Sequence, residues 1–238
     1  MSENSSQVAK PIPKKGGLFK DLIFNIIIPT LILTKLSSDE YLGPSLGIVV
    51  ALAFPIGYGL WDLKQSGKVN AISILGIISV FLTGGISLLE LDPQYIAIKE
   101  AMIPGIIGVA VLISQFTKYP LVKTFILNDQ VINMSVLHDE LEKQGKRSLF
   151  EKKLNFSSLI VAASFFLSSA LNYILAKWIV VSQPGTEAYN EELGKMTALS
   201  YPVIVLPSMV LLIAAIWYLF VQMKKLTGKD IEHFLNDL

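Results

Sequence analysis

Six long apolar runs, separated by short clusters of charged residues, constrain this chain more than any other feature of its sequence. A helix needs about 20 mostly apolar residues to cross a hydrocarbon core roughly 30 Å thick. Five of the six runs lack the wide polar stripe that a helix at the surface of a soluble protein carries. The sequence therefore predicts an all-α membrane protein, a bundle of six transmembrane helices. The predicted spans cover residues 18–36, 44–62, 71–90, 93–116, 156–181 and 198–222.

The distribution of basic residues predicts the orientation of these spans, because cytoplasmic loops carry more Lys and Arg than outer loops. With the N-terminus in the cytoplasm, sixteen of the 20 Lys and Arg residues fall on the cytoplasmic side. The other four are Lys35, Lys99, Lys177 and Lys195. We therefore expect both termini to be cytoplasmic. The predicted divisions are a disordered cytoplasmic tail at 1–17, a transmembrane domain at 18–225 and a cytoplasmic amphipathic tail at 226–238.

Capping patterns predict helices outside the spans as well. Thr186 begins a short outer helix that Gly194 ends, and Ser148 with Glu151 begins a helix that runs into the fifth span. Thr227 begins a further helix in the C-terminal tail. The apolar face of that tail helix would hold Ile231, Phe234, Leu235 and Leu238.

Composition and motifs point away from enzymatic chemistry. The chain is 52% hydrophobic and only 16% charged, its net charge is +1, and it has no cysteine, which excludes thiolate catalysis and thiolate metal sites. Its two histidines, His138 and His233, lie in charged segments, and no nucleophile, phosphate-loop or metal motif is found. We therefore expect no enzymatic activity, no cofactor, no metal and no nucleic-acid partner. The lipid bilayer is the expected surrounding, and the oligomeric state is not predicted.

Lys99 and Glu100 are the most deeply placed charges of the chain. Asp92 and Pro93 are suited to begin the fourth span, because Asp92 can cap the first turn and Pro93 has no N–H to leave unpaired. Lys99 and Glu100 then lie on that helix, about 9–10 Å along it. Charged side chains within a membrane are costly and are usually kept for function. This pair is therefore a candidate functional site.

Asn25, Gln115 and Asn172 are the uncharged polar candidates within the spans. An amide in hydrocarbon needs a partner, so we expect hydrogen bonds between helices, with ligand contact as the alternative. Small residues repeated every four positions predict close helix contacts instead of ligand binding. These are Ser79, Thr83 and Ser87 in the third span, Ala101 and Gly105 in the fourth, and Ser164 and Ser168 in the fifth.

Several motifs between Lys64 and Met196 are similar to those of a known bacterial family. The segments are Asp92-Pro-Gln-Tyr-Ile-Ala-Ile-Lys99, Ser114-Gln115, Lys118-Tyr-Pro-Leu-Val-Lys123, Gly67-Lys68-Val69 with Thr83-Gly84-Gly85 before Leu88 and Leu89, and Ala170-Leu171-Asn172. They resemble the intracellular septation protein A family of inner-membrane-spanning proteins, of which this chain would be a divergent member. Glu100 departs from that pattern, because the family has a proline there.

The resemblance implies a multi-pass protein of the bacterial inner membrane that serves envelope integrity and septum formation without known enzymatic activity. It makes Asp92, Lys99, Gln115 and Asn172 the first residues to test. The alternative is a small-solute or lipid transporter or flippase with a site near Lys99 and Glu100. Prolines within the spans favour that alternative, because bent helices often form transport sites.

Overall fold

The structure, a computed structural model, describes residues 20, 22–66, 71–117, 120–127 and 132–235. The predicted disordered tail at 1–17 lies outside these ranges. The described chain is all-helical, and its one pairing of extended backbone is an isolated antiparallel bridge between Ile132 and Leu235. In chain order the elements are a first π turn (Ile23–Ile27), α1 (Ile28–Lys35), α2 (Gly43–Ser66), α3 (Ala71–Leu88), α4 (Gln94–Ser114), α5 (Leu121–Ile126), α6 (Met134–Lys143), α7 (Arg147–Ile179), α8 (Glu187–Ser200), a second π turn (Tyr201–Val205), α9 (Leu206–Thr227) and a 3₁₀ turn (Ile231–Phe234).

Four helical stretches are long and apolar enough to cross a membrane, which indicates a multi-pass membrane protein. They are Gly43–Trp61, Gln94–Ser114, Arg147–Ile179 and Glu187–Thr227. The first and third predicted spans coincide with two shorter apolar helices, Ile23–Lys35 and Ile78–Leu88. Only 17% to 28% of the most apolar part of each long stretch is buried inside the protein, so most of these apolar side chains face outward. Exposed apolar surface on this scale is typical of contact with lipid or partner helices.

Two hydrophobic clusters hold the helices together at opposite ends of the bundle. One cluster joins the end of α1 and the start of α2 to α8, with Ile96 and Tyr189 fully buried in it. The other joins α6 and the start of α7 to the end of α9, with Leu137 and Phe150 fully buried. We call the second cluster, with the segment of residues 226–235 that packs on it, the tail cap.

Proline explains both π turns. The N–H of Ile28 bonds to the carbonyl of Ile23, five residues earlier, and Pro29 follows. The N–H of Leu206 bonds to Tyr201 in the same way, and Pro207 follows. A proline ring clashes with the carbonyl four residues before it, and widening the preceding turn relieves that clash. The two bends are therefore set locally by sequence.

α7 extends well beyond the hydrocarbon core. Its 33 residues span about 50 Å, which is longer than a core of roughly 30 Å. The prediction of a helix running into the fifth span is therefore confirmed. The predicted capping pair is wrong, because the helix begins at Arg147 and Ser148 already lies inside it.

The helix α8 begins as predicted but does not end at Gly194. The hydroxyl of Thr186 accepts a hydrogen bond from the N–H of Tyr189 at 3.2 Å and caps the helix. Beyond Gly194 the helix continues to Ser200 and, through the second π turn, into α9. Gly194 lies against α1, where a Cβ atom would be 2.5 Å from the Thr34 methyl and 3.3 Å from the Thr30 carbonyl. This glycine therefore allows close packing and does not end the helix.

Gly194→Ala should lower the free energy of unfolding by about 1–3 kcal/mol, because the added methyl forces α8 away from α1. Gly59→Ala is the matched control, since no atom lies within 4 Å of the Cβ position at Gly59. The control should be neutral or slightly stabilising, as alanine favours helix. Thermal unfolding in detergent, followed by circular dichroism, measures both; equal midpoints for the two variants would contradict the packing role.

The C-terminal tail departs from its predicted helical form. The hydroxyl of Thr227 donates to the carbonyl of Met223 at 2.7 Å, and left-handed Gly228 follows it, so Thr227 ends α9 and does not begin a tail helix. The tail then makes one 3₁₀ turn that buries Phe234 and leaves Leu235 exposed. The carbonyl of Phe234 accepts the N–H of Asn133 at 2.7 Å, which holds the chain extended there. The predicted single apolar face is therefore wrong, and Leu238 lies outside the described residues.

His138 of α6 should make the stability of the tail cap depend on pH. Burial, with the nearby cations of Lys123 and Arg147, lowers the pKa of His138 below its ordinary value of 6.5, against the opposing carboxylates of Glu151 and Glu142. Because the pKa of His138 is lower in the folded state, the stability that neutral His138 contributes is fully present above pH 6.5. That contribution is lost as the pH falls through the folded-state pKa. Proteolysis of the cap should therefore accelerate below pH 6.5. His138→Gln should remove that acceleration, and a variant with an unchanged pH profile would exclude His138 as its source.

Candidate functional site

A tight turn brings α3 and α4 together as antiparallel neighbours and positions the candidate site. Asp92 caps the first turn of α4 as predicted, because its carboxylate accepts the N–H of Gln94 at 2.8 Å. Thr83 lies five residues before the end of α3 at Leu88, about 8 Å, and Lys99 lies five residues after the start of α4. The two side chains therefore reach the same level of the bundle.

Lys99 is only 4% exposed, and its ammonium group is held by three side chains. Its Nζ atom lies 2.6 Å from Oε1 of Glu100 and donates to the hydroxyls of Thr83 at 2.7 Å and Ser79 at 3.3 Å. An ammonium group has three protons, so these three acceptors match its whole donor capacity. Thr83 in turn donates to the carbonyl of Ser79 at 3.0 Å. We call these four side chains the Lys99 cluster.

The same face of α3 also contacts α8. The hydroxyl of Ser87 donates to the carbonyl of Thr83 at 2.8 Å and hydrogen bonds with the Tyr189 hydroxyl at 2.9 Å. Asn190, beside that tyrosine, donates to the carbonyl of Pro44 at 2.8 Å. The serine and threonine repeat of α3 is therefore a line of polar partners for α4 and α8. The prediction that this repeat only allows close helix packing was therefore incomplete, because its side chains also form hydrogen bonds.

The other predicted site residues do not join Lys99 and Glu100. Asp92 and Gln115 lie at opposite ends of α4, which is 21 residues or about 31 Å long. The amide of Asn172 donates to the carbonyl of Ser168, one turn earlier in α7, at 2.8 Å. The prediction that it bonds between helices is therefore wrong, because its own backbone is within reach. Asn25 is exposed on the first π turn, and its predicted hydrogen bond to another helix stays a prediction.

The small residues predicted to form close helix contacts do so on α4 and α7. Ser169 donates to the carbonyl of Ala101 at 2.7 Å, and its hydroxyl lies 3.2 Å from the Cβ position of Gly105. Ser164 donates to the carbonyl of Ser208 in α9 at 2.8 Å. These bonds link α4, α7 and α9 without any ionised group.

Ser79 and Thr83 are the site residues that sequence reasoning missed. The sequence contained the information needed to find them, namely the number of residues between each side chain and the turn. A short connection makes adjacent helices antiparallel, so residues equally far from the turn lie at the same level. Counting outward from the turn pairs Thr83 with Lys99. Spacing of four then adds Ser79 on the same face of α3.

The geometry of the Lys99 cluster suits it to join two helices. With its three donors engaged and its side chain buried, Lys99 offers little to an incoming ligand. Four of the surface grooves among the described residues have volumes of about 270 to 590 Å³, and neither Lys99 nor Glu100 lines any of these four. Within the same part of the chain, no three His, Asp or Glu side chains are placed to hold a metal ion. Comparisons with protein-family models, with curated proteins and with solved structures find no match.

Proposed function

We propose that this protein is a six-span component of the bacterial inner membrane that serves envelope integrity or septation through contacts with other membrane proteins, without catalysis. The observation that carries the proposal is the internal saturation of Lys99, whose three donors match Glu100, Thr83 and Ser79. The most deeply placed charge predicted from the sequence is thus used to join α3 to α4. The resemblance to the septation protein family supplies the cellular role within this proposal.

Both termini are cytoplasmic in this proposal, as the excess of basic residues on that side supports. The chain has no cysteine, so single cysteines can report the topology. Asp39 and Gln144 are exposed in loops that we assign to opposite sides. A membrane-impermeant maleimide should label Asp39→Cys in spheroplasts and should label Gln144→Cys only after permeabilisation. The reverse pattern would invert the orientation, and labelling of both from outside would exclude the odd number of spans that the proposal places between them.

Photo-crosslinking in living cells tests the proposed role. A crosslinking amino acid at Phe116 or Trp178, whose side chains are 91% and 79% exposed, faces the surroundings of the bundle. Either position should capture a defined envelope or division protein of the same membrane. Ile96, which is 0% exposed, is the control and should capture nothing outside the chain. Crosslinks to lipid alone from both exposed positions would contradict the proposal.

A transporter is the second candidate, and the two π turns favour it. Such turns occur frequently at functional sites and give a helix a place to bend. In that case reconstituted liposomes should move a solute or lipid, and Lys99→Ala should abolish the movement. No transport by the native protein would leave the non-transport role, whereas full transport by the variant would mean that the transported species does not depend on Lys99.

A further inference from the structure

A cleft of about 540 Å³ separates the first helical segment from α2. Two helices line it, so it is a groove between elements and not one exposed face. Its lining residues are Lys20, Phe24, Ala53, Phe54, Gly57, Tyr58 and Trp61. Small residues form one part of the wall, aromatic rings another, and a single cation lies at one end.

The aromatic wall has a defined geometry. The rings of Phe24 and Tyr58 are stacked, with centroids 5.3 Å apart and planes within 4° of parallel. The ring of Trp61 follows, 5.7 Å from Tyr58, and the Nζ of Lys20 lies 5.8 Å from its centre. A cation at that distance from the face of a tryptophan is attracted to the ring. The ammonium group is thereby held at the rim of the cleft.

Gly57 keeps the middle of the cleft open. No atom lies within 4 Å of the position that its Cβ would occupy, so the space above its backbone is free. Ala53, one turn away on α2, adds the second small side chain of this wall. Between Ala53 and Trp61 the cleft runs about 12 Å along the helix, which fits within one leaflet of a core roughly 30 Å thick. Its length therefore suits a lipid chain of one leaflet.

The charge of the neighbouring sequence indicates which lipid would bind there. Lys10, Lys14 and Lys15 precede Lys20 in the sequence, and basic clusters beside a span are attracted to anionic lipids of the cytoplasmic leaflet. Lysine and tryptophan are also the side chains that occupy the membrane interface. A headgroup phosphate at Lys20 would place the attached acyl chain along the aromatic wall.

We propose that this cleft binds one anionic phospholipid, with its phosphate on Lys20 and an acyl chain over Gly57 against Phe24 and Tyr58. The assignment to the cytoplasmic leaflet rests on the proposed orientation. The binding itself does not, because it can be measured on purified protein in detergent. Failure of the envelope role would therefore leave the lipid site intact, and failure of lipid binding would leave the envelope role.

Filling the cleft tests the acyl-chain site. Gly57→Leu should lower the affinity of the delipidated protein for phosphatidylglycerol, measured by native mass spectrometry, by at least about tenfold, the equivalent of two methylene groups removed from apolar contact. Gly59→Leu is the matched control, because Gly59 is on the same helix, has equally open space at its Cβ position and does not line the cleft. Equal affinities in the two variants would overturn the proposal.

Removing the cation tests the headgroup contact. Lys20→Gln should reduce the preference for phosphatidylglycerol over phosphatidylcholine about fivefold, whereas Lys35→Gln, at the other end of the same apolar helix, should leave it unchanged. A second copy of the chain is the other occupant that the cleft could accept. If Gly57→Leu dissociates a dimer in size-exclusion chromatography and leaves lipid affinity unchanged, the occupant is that copy and the lipid proposal is wrong.

Discussion

Replacing Glu100 with alanine should lower the free energy of unfolding by about 3–5 kcal/mol, because it removes the one anionic partner that the buried ammonium group of Lys99 has among the described residues. The side chain of Glu100 is 26% exposed and its Oε1 lies 2.6 Å from the Nζ of Lys99. Two neutral hydroxyls, from Thr83 and Ser79, would then be the remaining acceptors. Thermal unfolding in detergent measures the size of the loss in stability. Hydrogen exchange of the α3 and α4 amides, followed by mass spectrometry, shows where in the protein the loss occurs.

The double variant Lys99→Met with Glu100→Leu separates a structural pair from a transport site. Replacing a buried ion pair by apolar side chains of similar volume is often neutral or stabilising, so this variant should unfold near the native midpoint. The exposed pair of Lys195 and Glu191 is the control, since removing Glu191 should cost less than about 1 kcal/mol. A double variant as unstable as Glu100→Ala would show that the hydroxyls also require the cation.

The same double variant bears on the proposed function. If the pair only joins α3 to α4, crosslinking at Phe116 should capture the same partner from the double variant as from the native chain. Loss of that partner from a folded double variant would mean that Lys99 and Glu100 do more than hold helices. The stability and capture measurements together therefore distinguish a scaffold from a charge-dependent site.

The apolar runs predicted the helical class and the position of each apolar helix, because a membrane span is a local property of composition and length. The capping of α4 by Asp92 was equally local and is confirmed, although the helix itself begins at Gln94, one residue later than predicted. Only four of the six predicted spans meet the length and hydropathy expected of a spanning helix in the described chain. Six spans with both termini in the cytoplasm therefore stay a prediction, which the cysteine labelling tests.

What the sequence could not predict depends on which helices become neighbours. The partner of Asn172 was expected in another helix, yet the Ser168 carbonyl in its own helix satisfies it. Glycine is common just after the end of a helix, which is why Gly194 was predicted to end α8. The close approach of Thr34 is what requires a glycine there. Serine and threonine at every fourth position fit both packing and hydrogen bonding, and only the position of Lys99 decides between them.

Replacing Phe234 with alanine should open the tail cap, with a loss of about 3–5 kcal/mol from the stability of that region, as for a large side chain removed from a packed core. Phe234 is 0% exposed, and its carbonyl holds the N–H of Asn133 at the start of α6. Lys146 reinforces the same junction by donating to the carbonyl of Leu226 at 3.1 Å. We therefore expect the tail and α6 to open together, while the apolar helices stay folded.

Limited proteolysis and amide exchange measure this opening. In Phe234→Ala, cleavage should appear in α6 and in the tail at protease concentrations that leave the native chain intact. Leu235→Ala is the matched control, because the adjacent side chain is 44% exposed and its loss should change stability by less than about 0.5 kcal/mol. If the two variants are cleaved alike, Phe234 does not hold the cap. If exchange instead rises throughout α3 and α4, the two hydrophobic clusters unfold as one unit.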